Sequence, residues 1–64
     1  MNVFIINTER NREKRYQIMT GAGNGFDHVF PGKLFDLNTA VALSKENNFN
    51  IVAIGTMWEC LKQI

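Results

Sequence analysis

Two unbroken apolar runs, Val3-Phe4-Ile5-Ile6 and Ile51-Val52-Ala53-Ile54, lie near opposite ends of a chain of 64 residues. Each is rich in β-branched side chains, and each stops abruptly, the first at Asn7-Thr8 and the second at Gly55-Thr56. A strand with one face in water alternates apolar and polar residues. A strand covered on both faces reads as a continuous apolar run, as in a parallel sheet with helices on either side. These runs therefore call for a layered α/β architecture, and the intervening residues must supply the covering layers.

Residues 9–20 contain neither Gly nor Pro and are rich in Glu, Arg, Lys and Gln, a helix-forming composition. Ile18, Met19 and Ala22 would form the apolar edge of that helix, with the Arg15 stem along it. Gly21-Ala22-Gly23-Asn24-Gly25 would end it, and residues 26–30 read as a second strand closed by Pro31-Gly32. Asp36 can cap a helix from residue 37 to about 47 with Leu37, Ala40, Val41 and Ser44 on one face. Thr56-Met57-Trp58-Glu59 has the spacing of a capping box. There the Thr hydroxyl accepts from the Glu backbone N–H while the carboxylate reaches back. Met57, Cys60, Leu61 and Ile64 would then share a face of the last helix. The expected fold is one α/β domain over residues 1–64. It would have a small three-stranded, mainly parallel sheet with three helices (βαβαβα) and right-handed crossovers.

A core of this size only narrowly offsets the entropy of ordering the chain. Cys60 has no partner for a disulfide, and Cys60 and His28 are too few soft ligands for a structural zinc site. Stability must then come from close packing or self-association. Seven aromatics and an apolar Ile64 favour a homo-oligomer, with Met57, Trp58, Leu61 and Ile64 as its interface. The apolar runs are too short to span a bilayer and no signal peptide is visible, so a cytoplasmic protein is expected. Net charge is +1, with a local surplus where Arg10, Arg12, Lys14 and Arg15 outnumber Glu9 and Glu13. That balance argues against nucleic acid as a partner.

Few residues could carry catalysis. Cys60 reads as a core residue and His28 as a polar residue at a strand edge. The acids are scattered singly, so neither a metal nor another cofactor is expected and the chain reads as non-catalytic. The glycine-rich stretch would follow a helix and precede a strand, the wrong polarity for a phosphate loop. The junctions Asn7-Thr8 and Gly55-Thr56 have the right polarity, each following a strand. With strand order 2-1-3, Asn7, Thr8, Gly55 and Thr56 would flank a crevice at the carboxyl edge of the sheet, with Arg10 or Arg12 in reach. Such a crevice suits an anionic small molecule such as a nucleotide or nucleotide-sugar. The plainer alternative makes Thr56 an N-cap and Asn7 a turn residue.

The text from Val3 to Ile18, Val-Phe-Ile-Ile-Asn-Thr-Glu-Arg-Asn-Arg-Glu-Lys-Arg-Tyr-Gln-Ile, resembles the opening of glycosyltransferase family 25, the lipopolysaccharide type. Asn7, Glu9, Arg10, Glu13 and Arg15 fall on that pattern, and Phe26-Asp27-His28-Val29-Phe30-Pro31-Gly32 is similar to the family's second strand. Thr8 and Lys14 depart from it. The resemblance implies the nucleotide-facing half of a sugar-nucleotide fold. It does not imply the transferase activity, because the family's acidic metal-binding motif has no counterpart near Ala53-Ile54-Gly55-Thr56. Three functional readings follow: a nucleotide-binding module, a phage-type inhibitor or regulator that binds a protein target, and a shortened transferase-like chain needing a partner.

Overall fold

The computed structural model describes residues 1–8, 15–23 and 25–63. The chain runs β1 (Asn2–Asn7), β2 (Tyr16–Ala22), β3 (Gly25–His28), α1 (Leu37–Glu46), β4 (Asn50–Thr56) and α2 (Met57–Leu61). The strands form one sheet in the order β3-β2-β1-β4. β1 pairs antiparallel with β2 and parallel with β4, and β2 pairs antiparallel with β3.

β1 sits inside the sheet and is covered on both faces, as its sequence requires. Val3 and Ile5 are buried on one side with Ile18 and Ala40, under α1. Phe4 and Ile6 are buried on the other side with Met19 and Cys60, under α2. Alternation along a strand sends successive side chains to opposite faces, so four consecutive apolar residues feed two cores. Ala40 and Ser44 are the fully buried positions of α1. Their small side chains let the helix approach the sheet, and the Ser44 hydroxyl donates to the Ala40 carbonyl at 2.9 Å, so it is not left unpaired in the core. Asp36 caps this helix by accepting from the Thr39 N–H at 2.7 Å. Beyond the C-cap Asn47, Asn48 takes a left-handed φ of 59°, a conformation asparagine tolerates.

The fold differs from the sequence-based expectation in kind. Among the described residues it is a four-stranded mixed sheet with two short helices, not a three-stranded mainly parallel sheet with three. The helix expected over residues 9–20 is overturned from residue 16 onward, where β2 begins; residues 9–14 lie outside the described residues. Ile18 and Met19 do not line one helix face. They point into the two different cores. Helix-forming composition loses here because β1, buried on both faces, needs hydrogen bonds along both edges, and Tyr16, Ile18 and Thr20 are good strand formers. The glycine-rich stretch joins two strands: Ala22 pairs with Gly25, with Gly23 at φ 58° between them. Val29 and Phe30 fall beyond the end of β3. Leu37, expected on the inner face of α1, is exposed. The second apolar run lies in an edge strand, so Val52 and Ile54 are exposed where two-sided burial was expected.

The two-sided burial of β1 sets a graded response to truncation. Ile5→Ala and Ile18→Ala should each cost about 2–5 kcal/mol in urea unfolding followed by circular dichroism. Ile54→Ala should cost less than half as much. Equal losses at all three positions would contradict this topology.

Candidate functional site

The parallel pairing of β1 and β4 sets Ile6 beside Gly55 and Asn7 beside Thr56. Thr8 follows directly, so four of the sequence-predicted site residues (Asn7, Thr8, Gly55 and Thr56) meet at the carboxyl edge of the parallel pair. Arg10 and Arg12 lie outside the described residues.

The polar groups gathered here are committed to the fold. Thr8 donates to the Arg15 carbonyl twice, from its N–H at 2.7 Å and from its hydroxyl at 2.8 Å, and so closes the β1–β2 connection. Thr56 is the N-cap of α2 and makes the expected capping box. Its hydroxyl accepts from the Glu59 N–H at 3.2 Å, and its own N–H donates to Glu59 Oε1 at 3.4 Å. The Thr56 hydroxyl also donates to Glu59 Oε1 at 3.1 Å. The Glu59 carboxylate lies so close over Gly55 that a Cβ there would meet its atoms at 3.2–3.3 Å. Glycine at this position gives the carboxylate its room.

This arrangement has an electrostatic consequence. A helix N-terminus favours negative charge, and here the chain supplies its own. A phosphate approaching Gly55 and Thr56 would meet the Glu59 carboxylate, and α2 spans only five residues. The helix expected after β1, which would have brought a second N-terminus to this edge, is not present among the described residues.

A separate cavity of about 540 Å³ lies at the opposite end of the sheet, on the α2 side, among Met1, Phe4, Gly21, Ala22, Val52 and Gln63. It is open to solvent, and no side chain in its lining is ionisable. Sequence reasoning did not find it, because it forms where β2, which was read as helix, passes β1. Hairpin chemistry held the missing signal: Gly23-Asn24 between two β-prone segments is a two-residue turn pattern.

Cys60 is fully buried against Phe4, Ile6 and Met19. Burial, and secondarily the charge of adjacent Glu59, push its thiol above the ordinary value of 9.0. A reactive thiol requires the opposite shift. His28 is exposed on β3. Among the described residues, no three His, Cys, Asp or Glu side chains gather in a way that could hold a metal ion.

Of the residues predicted to form an interface, Met57, Trp58 and Leu61 are exposed on α2, whereas Ile64 lies outside the described residues. Trp58 is two residues from the inward-facing Cys60, roughly 200° around the helix, and so faces outward. It is 70% exposed.

No protein-family model matches the chain, nor does any curated protein or solved structure.

Two measurements test the roles assigned here. Thr56→Ala should lower stability by about 1 kcal/mol through loss of the cap. The Cys60 thiol should resist alkylation at neutral pH until the protein unfolds. Because the folded state holds the thiol proton more tightly, stability should be level below pH 9.0 and fall as pH rises from there through the folded value. Cys60→Ala should lose less across that window, and an equal loss would exclude the thiol as a cause.

Proposed function

We propose that this chain is a small non-catalytic binding module that acts through protein–protein contact, using the corner formed by β4 and α2. The observation that carries this reading is the exposed apolar side chains of α2, Met57, Trp58 and Leu61, with exposed Val52 on the same side of the sheet; Ile54, paired with Ile5, is exposed on the other face. Apolar residues scattered singly over a surface are ordinary, but a group on consecutive elements marks a contact surface. Tryptophan is also enriched among residues that dominate binding energy. The buried, high-pKa thiol and the lone exposed histidine support a non-catalytic role.

Trp58 is the only tryptophan in the chain, so its emission reports on this surface alone. Emission should shift to the blue as the protein associates, in step with the mass measured by light scattering. Trp58→Ala should weaken association at least tenfold. Unchanged association in that variant would remove the basis for the reading.

A second reading, an anionic ligand such as a nucleotide at the carboxyl edge, is favoured by one observation, the meeting of Asn7, Thr8, Gly55 and Thr56. Glu59 opposes it. Millimolar nucleotides and nucleotide-sugars should leave the melting temperature of the wild type unchanged. A rise that grows in Glu59→Gln and vanishes in Gly55→Val would establish the anion site instead.

A further inference from the structure

β4 and β3 are the two edges of the sheet, and the chain treats them differently. β3 is four residues long and carries exposed Asp27 and His28, so it is both short and polar. Short edges bearing charge resist pairing with another strand. β4 is seven residues long, Asn-Ile-Val-Ala-Ile-Gly-Thr, without charge or proline, and its one irregularity is a register shift opposite Val3 and Phe4 that leaves Val52 without a partner in the ladder. The uncharged stretch extends from Asn47 to Trp58. Among the described residues, the backbone of β4 bonds along β1 and, through the Asn50 N–H, to the Met1 carbonyl at 2.8 Å; its outer edge has no backbone partner. A sheet edge of this kind recognises an extended backbone.

We propose that β4 is the seam of a two-fold homodimer, in which two copies pair their β4 strands antiparallel and continue two four-stranded sheets into one of eight. The inference rests on the binding-module reading and names the partner and contact. A second copy fits better than a charged peptide because an antiparallel two-fold seam brings each residue near the axis close to its own duplicate. Any charge there would repel itself, and β4 has none. Isologous pairing also closes, satisfying both edges at once.

Area points the same way. A seven-residue strand gives a seam about 24 Å long. Val52 and Ile54 flank it, and Met57 and Trp58 follow at its end. Trp58, 70% exposed, offers on the order of 150 Å² by itself. These side chains supply part of the roughly 800 Å² per partner that a standard interface buries.

The test is charge complementation at Ile54, one residue from the strand's midpoint and half exposed, so the folded monomer tolerates a polar side chain there. Sedimentation should show a concentration-dependent dimer for the wild type and monomers for Ile54→Lys and Ile54→Glu alone. An equimolar mixture of the two variants should restore the dimer. Circular dichroism checks that each variant is folded, and Val52→Lys with Val52→Glu repeats the test should Ile54 variants unfold. A wild type that stays monomeric at all concentrations, or that grows into open aggregates, overturns the seam. So does a dimer that survives Ile54→Lys. If that surviving dimer is lost in Trp58→Ala, the binding-module reading stands and only the β4 seam fails.

Discussion

The structure depends on one strand that has no free side. β1 hydrogen-bonds to β2 along one edge and to β4 along the other, while its side chains enter cores on both faces. Four of the other elements answer a need of this strand. α1 and α2 cover its faces, and β2 and β4 satisfy its backbone. In so short a chain, a polar group left unpaired in the centre would be expensive, and no buried side-chain nitrogen or oxygen is unpaired among the described residues.

What could be read from the sequence was set by local chemistry. Asp36 before α1 and Thr56 with Glu59 at α2 act within one turn of helix, and both caps are present. β1 was legible because burial on two faces leaves a continuous apolar run. The segment from Tyr16 to Ala22 was not, because its polar, glycine-free approach favours helix and the opposing influence came from a distant strand. Ile18 beside Met19 fits a helix stripe as well as a strand buried on both faces. The similarity of Val3–Ile6 to Ile51–Ile54 misled for a related reason: apolar side chains on both faces do not distinguish a central strand from an edge.

The candidate site divides along the same line. Parallel pairing of the two apolar runs sets Ile6 beside Gly55 and Asn7 beside Thr56, with Thr8 next along the chain. The commitment of Gly55 and Thr56 to structure depends on a carboxylate folding back onto a glycine, a detail of side-chain placement. The capping-box motif already contained it: a Glu that satisfies its own helix N-terminus also occupies the place of an external anion. The exposed aromatic surface on α2 follows from size, because two thin cores cannot bury seven aromatics.

Pairing β1 with β4 joins segments far apart in sequence, whereas β1, β2 and β3 form a local meander. Closing the longer loop carries the larger entropy, so contacts of the meander have the kinetic advantage. Until β4 arrives, one margin of β1 is bare, and it belongs to the most apolar strand in the molecule. β4 therefore completes a sheet that has already begun to form. Its arrival rate, more than the strength of the finished core, governs how long the nascent chain is vulnerable to pairing with the wrong strand.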